Sequence, residues 1–290
     1  MKVGLFADQA KFQPEEGLMT VKSASRFFPG LLSHRHYSGT MSTLIYNWPI
    51  FVGLLFFGLV TLIASLWVVP APWHWLMVIS GLGALGFIIS ILTASYIVYD
   101  WGSTREYDRL AQLGNLAQAN VVIDITCGKM RGSRGLLTRF QPSYYFLIDI
   151  YNPAKMSDAA LRRARNLEPP LQTERRIYRQ TGAAQKLPLP HNWADVIYCS
   201  YSLHELHDAA DREAIFAEFA RVLKPNGRLL IAEHGRDWLN CLTFGPGALS
   251  FFSPTTWTKH LEKAGFTVQT HEQWRGLVHL WVAGKKAHYN

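Results

Sequence analysis

From His36 through Tyr99 the chain carries no Asp, Glu, Lys or Arg, although those residues make up 17% of the whole. A stretch of that length without charge cannot be ordinary protein surface, so it divides the molecule before any motif is considered. Within it, Ile50 to Val69 (IFVGLLFFGLVTLIASLWVV) has only Thr61 and Ser65 as polar members. As a helix this run spans roughly 30 Å, the hydrocarbon thickness of a bilayer. A second apolar run, Leu76 to Tyr99, follows after Pro70, Ala71, Pro72, Trp73, His74 and Trp75, which predicts two crossings joined by a short turn. A pair of core helices in a soluble protein would carry charge on its outer face, and these runs carry none. A secretory signal would not follow so long a polar lead-in, nor be double.

Trp48, Trp67, Trp73, Trp75, Tyr96 and Tyr99 fall near the ends of the runs, where amphipathic rings favour the headgroup level. Gly81, Gly83, Ala84 and Gly86 offer a small face for packing the second helix on the first. Lys2, Lys11, Lys22, Arg26 and Arg35 precede the runs and Arg105 and Arg109 follow them, with no basic residue in the turn. Both termini are therefore expected on the cytoplasmic side. Three parts result: residues 1–45, a cytoplasmic lead-in whose order the sequence leaves open; residues 46–99, a two-helix transmembrane hairpin; and residues 100–290, a cytoplasmic domain.

Lys and Arg exceed Asp and Glu by 29 to 21, which points to an anionic partner, and beside a membrane segment an acidic bilayer surface is the simplest one. Cys127, Cys199 and Cys241 are odd in number and outside CxxC spacing. Neither a disulfide framework nor a zinc site is indicated, and no metal is expected.

From Asn120 onward, short apolar runs alternate with helical stretches: VVIDI, YYFLIDI, ADVIYCS, GRLLIAEH, FTVQTHE and LVHLWVAGK. Strands separated by helices imply an α/β domain with a mainly parallel sheet covered on both faces, and the last two runs, too close for a helix between them, predict an antiparallel hairpin at the sheet edge. In such a sheet the ligand binds beyond the carboxyl ends of the strands at the switch point, which here is the turn VVIDITCGKMRGSRG.

That turn resembles motif I of the class I S-adenosylmethionine-dependent methyltransferases, D-x-G-x-G-x-G after an apolar strand. Asp124, Cys127 and Gly128 stand at the family's positions, Thr126 and Met130 replace its first and third glycines, and Gly132 lies two residues further on. YYFLIDIYNPAKM resembles the second strand with its terminal acid, Asp149. GAAQKLPLPHNWADVIYCSYSLHEL resembles the third and fourth elements, and DREAIFAEFARVLKPNGRLLIAEH the L-K-P-G-G turn and fifth strand, with Asn226 for the first glycine. The resemblance runs from about Tyr99 to Lys286 and implies a doubly wound, Rossmann-like, seven-stranded domain that binds S-adenosyl-L-methionine. It implies that Asp124, Thr126, Cys127 and Gly128 form the cofactor turn, that Asp149 and Ile150 meet the ribose, and that Ala184, Gln185 and Ser200 lie along the rest of the cofactor. The acid that usually meets the adenine amino group falls at Ala183, leaving Gln185 to accept a hydrogen bond there. Asp124, behind the turn, is expected to hold the turn's backbone amides.

Methyl transfer needs a positioned acceptor and, where the acceptor is acidic, a base. Just after the fourth strand, His204 in SLHEL is the expected base, with Tyr201 lining the pocket and Glu205 beside them; Glu233 and His234, at the end of the fifth strand, are second-rank candidates on the same rim. The segment DWLNCLTFGPGALSFFSPTTW lies where this family builds its substrate lid, and it is rich in Trp, Leu and Phe. The domain looks like the branch containing quinone C-methyltransferases and bacterial phosphatidylethanolamine N-methyltransferases, whose terminal strand GLVHLWVAGKK resembles. An acceptor held in the bilayer, a prenylated quinone precursor or another membrane lipid, is the expectation. Two alternatives are a methyltransferase acting on nucleic acid or a small molecule, suggested by Arg162, Arg163, Arg165, Arg175, Arg176 and Arg179, and a non-catalytic membrane scaffold. Those arginines lack interleaved aromatic platforms, which argues against nucleic acid.

Overall fold

The structure is a computed structural model that describes residues 38–67, 72–168, 171 and 177–286. Lys2, Lys11, Lys22, Arg26 and Arg35, Pro70 and Ala71 of the expected turn, and Arg175 and Arg176 lie outside the described residues.

The uncharged stretch forms three helices: α1 (Ser38–Tyr46), α2 (Trp48–Trp67) and α3 (Trp73–Ser95), the last continuing as a π-turn over Tyr96–Asp100. Two of these, Trp48–Trp67 and Trp73–Asp100, are long and apolar enough to cross a membrane, and only 17% and 11% of their most apolar windows are buried. Helices built for a soluble core would be covered; these present Phe56, Ile63, Leu66, Ile79 and Ile89 outward. The second apolar helix starts earlier than the sequence predicts, because Trp73, His74 and Trp75 belong to its first turn. Of the small residues, Gly81 meets α2: a Cβ there would lie 2.7 Å from Leu62 and 2.9 Å from the Gly58 carbonyl, whereas Gly83 and Gly86 face open space. The close-packed face is thus Gly58 on Gly81, with Ala84 buried beside them.

Residues 38–45, expected to belong to the lead-in, are helical because Asp100 holds them. Its carboxylate accepts hydrogen bonds from the backbone N–H groups of Gly39 (3.0 Å) and Thr40 (2.7 Å) and from the Thr40 hydroxyl (2.6 Å). An acid at a helix N-terminus satisfies otherwise orphaned N–H groups and complements the helix dipole. The first charged residue after the gap therefore ties α1 to the end of α3.

The domain that follows has β1 (Val121–Thr126), β2 (Tyr144–Asp149), β3 (Ile177–Thr181), β4 (Ala194–Ser200), β5 (Leu223–His234), β6 (Phe266–Trp274) and β7 (Val278–Lys285), in the sheet order β3-β2-β1-β4-β5-β7-β6. The first five run parallel and β7 pairs antiparallel with both β5 and β6. This is the predicted doubly wound, seven-stranded α/β sheet. β3 (IYRQT) is not among the apolar runs: it is a half-exposed edge strand, so its sequence carries no hydrophobic signal.

Around the sheet lie α4 (Glu106–Leu113), α5 (Arg131–Arg139), α6 (Ala159–Leu167), α7 (Ala209–Val222), α8 (Trp238–Phe244) and α9 (Pro254–Lys263). Because successive strand residues point to opposite faces, Ile123 and Ile125 of β1 join Leu161, Phe216 and Trp257 on one side. Val122 joins Leu110 and Leu136 on the other, and that second cluster also contains Ala94 and Val98 from the end of α3. Arg275, in the β6–β7 turn, donates to the carbonyls of Ile97 and of Thr104, the latter at 3.0 Å. The apolar helices are thus continuous with the core of the domain.

Candidate active site

The turn after β1 shows how this chain does without two of the family's glycines. The Thr126 hydroxyl accepts the Gly128 N–H at 2.9 Å and donates to the Lys129 carbonyl at 3.1 Å, closing the turn with a side chain. Gly128 sits at φ +110°, which an L side chain rarely adopts. Met130 precedes α5 at φ −116°, a conformation that needs no glycine. The close approach of helix to strand falls instead to Gly132, where a Cβ would lie 2.5 Å from the Tyr198 hydroxyl and 2.9 Å from Ser200 Oγ. Cys127 is buried, its thiol 3.5 Å from the Ser202 carbonyl. Contrary to expectation, Asp124 does not hold the turn amides; its carboxylate accepts from the Tyr145 hydroxyl at 2.6 Å, and burial pushes it up to about 6 against hydrogen bonds from Ser133 and Tyr145.

At the end of β2, Asp149 accepts the Tyr151 N–H (3.0 Å) and forms a two-pronged ion pair with Arg165 (3.0 and 2.7 Å). Arg165 also donates to the Cys127 carbonyl (2.7 Å) and lies 4.0 Å over the Tyr151 ring. From this edge a cleft of about 400 Å³ runs past Ile150, Ala184 and Gln185 to Glu205 and Asp211. Ala183 lines it where the family has an acid, yet an acid is nearby in space: Asp211 of α7 receives Gln185 Nε2 and Lys155 Nζ (2.9 and 2.7 Å). A glycine turn after β1, a strand-end carboxylate and the cleft beside them fit S-adenosylmethionine. Gly128, whose own N–H is held by Thr126, would let the cofactor approach where Arg165 now lies, Asp149 would take the ribose hydroxyls in competition with Arg165, and the Gln185 side chain would meet the adenine.

Beyond β4 the chain turns sharply. Tyr201 takes φ +51°, an uncommon strain for a bulky residue and of the kind that clusters at functional sites. His204 lies between two acids, with Nδ1 2.7 Å from Glu233 and Nε2 3.3 Å from Glu205. Burial alone would push His204 down, but the two carboxylates prevail and push it up to about 9. It is therefore an imidazolium at neutral pH, with both nitrogens committed as donors, and the role of base expected of it is closed in this state. Glu205 is buried, which opposes its charge, but Lys129 (3.0 Å) and His204 hold it well below the usual carboxylate range.

A second cavity, of about 590 Å³, opens on the other side of this cluster. Ile50, Phe51 and Leu54 of α2 and Phe87 and Ile91 of α3 line its apolar end; Lys129, Ser200, Tyr201, His204 and His234 line its polar end. Ser200, expected beside the cofactor, thus stands in this second cavity, and Glu205 and His207 border both the cleft and the cavity. The expected lid splits: Phe244 and Phe251 face the cavity, while Trp238, Leu242 and Leu249 remain about 70% exposed or more. Tyr99, read from sequence as an interfacial ring, also lines the cavity, as do Lys129 and Arg131, which no sequence signal singled out. Arg163 and Arg165 turn inward, to the Tyr46 carbonyl (2.6 Å) and to Asp149, rather than forming a surface for nucleic acid. Among the described residues no group of three or more His, Cys, Asp or Glu could hold a metal ion.

Residues 123–231 match a family model described as a methyltransferase domain. Over 55 residues the chain is 40% identical to the ubiquinone/menaquinone biosynthesis C-methyltransferase of Paraburkholderia phymatum, covering 19% of this chain and 21% of that one. It is 25% identical over 179 residues to the 27-O-demethylrifamycin SV methyltransferase of Amycolatopsis mediterranei, covering 59% and 62%. The chain thus spans about a fifth of the length of the quinone methyltransferase and under two thirds of the other. A S-adenosylmethionine-dependent methyltransferase from Aquifex aeolicus is similar in structure, with TM-score 0.47, 20% identity and coverage of 61% of this chain and 88% of that one. The matched segment, the strand order and the turn after β1 agree on a methyltransferase domain of the class I, Rossmann-like fold built around residues 123–231.

Proposed function

We propose that this chain is anchored in a membrane by α2 and α3, with its termini and catalytic domain in the cytoplasm, and methylates the polar headgroup of a membrane-held acceptor, a prenylated quinone precursor or a phospholipid. The observation that carries this reading is the second cavity. One end is walled by the helices that would lie in the bilayer and the other by the cluster at Glu205 and His204, of which Glu205 also borders the cleft. An amphiphile could enter with its tail among Ile50, Leu54, Phe87 and Ile91 and its head at the seam. The exposed Trp238, Leu242 and Leu249 beside the hairpin suit contact with lipid.

When bound, S-adenosylmethionine supplies an electrophilic methyl on a sulfonium. The chain's own residues do the rest: Gly128 and Asp149 bind, and the apolar helices exclude water and align the acceptor, which is worth much of the barrier in a displacement. Glu205, held ionised by Lys129 and His204, brings fixed negative charge to the seam. His204, held charged, positions Glu205 and Glu233 rather than removing a proton.

The test is to supply full-length protein in liposomes made from a total lipid extract with radiolabelled S-adenosylmethionine. Label is expected in a quinone-type or phospholipid species; label confined to water-soluble compounds or nucleic acid would overturn the proposal. The topology has its own test. In a background without the native cysteines, Ala71→Cys should react with an impermeant thiol reagent in intact cells and Ser103→Cys should not.

A further inference from the structure

We infer that α3 is part of the acceptor site as well as an anchor: its terminal π-turn presents the Tyr99 hydroxyl to the headgroup, with His234 fixing its polarity so that the site selects an acceptor bearing an O–H or N–H. The inference rests on the reading that the second cavity takes the acceptor.

The π-turn is what makes the placement. The Trp101 N–H donates to the Tyr96 carbonyl at 2.8 Å, so one extra residue is accommodated in the last turn. Tyr96 stays outside at 37% exposure, Val98 enters the core, Asp100 reaches α1, and Tyr99 is left pointing into the cavity. The ring is then enclosed. Gly39 of α1 backs it, since a Cβ there would lie 2.1 Å from that of Tyr99. The Arg131 guanidinium lies 4.3 Å over one face, and the Tyr201 ring packs edge-on at 5.7 Å.

His234 sets the direction of the hydroxyl. Its Nδ1 is 3.0 Å from the Leu277 carbonyl, which can only accept, so Nδ1 carries the hydrogen. Burial pushes His234 down to about 3, and the neighbouring His204, Lys129 and Arg131 cations push the same way, against the Leu277 hydrogen bond. The ring is therefore neutral, its Nε2 bears a lone pair, and the Tyr99 hydroxyl 2.8 Å away donates to it. With its one proton committed, Tyr99 can offer the cavity only lone pairs. A headgroup with a hydroxyl or amine hydrogen meets an acceptor; one whose oxygen is already alkylated meets a second set of lone pairs. Tyr99 is a specificity-determining residue, supplied by a transmembrane helix.

The experiment uses the full chain in detergent micelles and two probes, a long-chain alkylphenol and its methyl ether, with binding measured by calorimetry. The parent should bind the phenol roughly tenfold more tightly, the upper end of what one neutral hydrogen bond supplies. Tyr99→Phe should abolish that preference while leaving ether affinity and S-adenosylmethionine binding unchanged. His234→Phe should keep the ring stacking on Phe251 (5.1 Å between centroids) and free the tyrosine proton, so the ether gains and the preference shrinks. A Tyr99→Phe variant that binds S-adenosylmethionine and still prefers the phenol as the parent does would overturn the inference alone. A parent that binds S-adenosylmethionine but neither probe would remove the acceptor reading of the cavity, and the inference with it.

Discussion

The cleft beside Asp149 and the second cavity, proposed for cofactor and acceptor, share Glu205 and His207 as a common wall, but they are built on different plans. The cleft is made largely of strand ends and the turns that follow them, and its key groups are a glycine turn, a carboxylate and polar side chains held by local hydrogen bonds. The cavity takes α1, α2, the end of α3, α5 and the segment after β5, and most of its wall is apolar. Local turns can carry a cofactor site because hydrogen bonds within a few residues fix their shape. A cavity for an amphiphile needs distant elements, because no short segment can supply both an apolar tunnel and a polar end. A change in one half should therefore leave the other measurable.

The largest effect should come from Gly128→Val. A β-branched residue at φ +110° is strained, and its Cβ would lie 2.5 Å from Arg165 Cγ. S-adenosylmethionine affinity should fall by about a hundredfold or more by calorimetry, while binding of the alkylphenol probe persists; loss of both would mean that the two halves are not separable. Asp149→Ala comes next. It removes the carboxylate for the ribose hydroxyls, and since hydrogen bonds to charged groups are worth about 1.5 to 3 kcal/mol, a ten- to hundredfold loss is expected. A variant that binds like the parent would show that Arg165 keeps Asp149 out of the site.

The seam has a pH signature. His204 is raised from 6.5 unfolded to about 9 folded, so its contribution to stability is fully present below about pH 6.5 and is lost as pH rises through about 9. Denaturant titrations between those limits should show the parent losing on the order of 1 to 3 kcal/mol that His204→Gln does not lose. Identical slopes would mean the Glu233–His204–Glu205 cluster does not hold the proton. The smallest effect belongs to Asp100→Ala, which strips α1 of its N-terminal acceptor and should cost about 1 to 2 kcal/mol locally. Hydrogen exchange over residues 38–46 should accelerate with cofactor affinity unchanged, and a matching loss of cofactor affinity would break the division between the halves.

Individual residues show how far sequence reading reached. The places of Asp149 at the end of β2 and Gly128 in the turn after β1 were legible because a turn after an apolar strand leaves a local pattern. The substitution of Gly132 for a missing glycine was visible only once α5 was seen against Tyr198 and Ser200. Asp211, the acid near the place where Ala183 lacks one, arrives from the start of α7 and has no spacing that marks it. His204 was found by position, but its charge was not legible: it depends on Glu233, which reaches it from β5.

By itself the sequence determined the division into an uncharged helical stretch and an α/β domain, the order of six of the seven strands along the chain and the place of the turn after β1. Each of these rests on local regularities, the absence of charge over bilayer-spanning lengths, alternation of apolar residues and a turn between strand and helix. Tertiary structure alone decided what joins the two parts. Asp100 capping α1, Ala94 and Val98 entering the domain core, and the π-turn aiming Tyr99 at His234 bring together residues separated by as many as 135 positions. Hydrogen-bond direction and the charge of a buried imidazole are properties of neighbours in space, and linear spacing does not encode those neighbours.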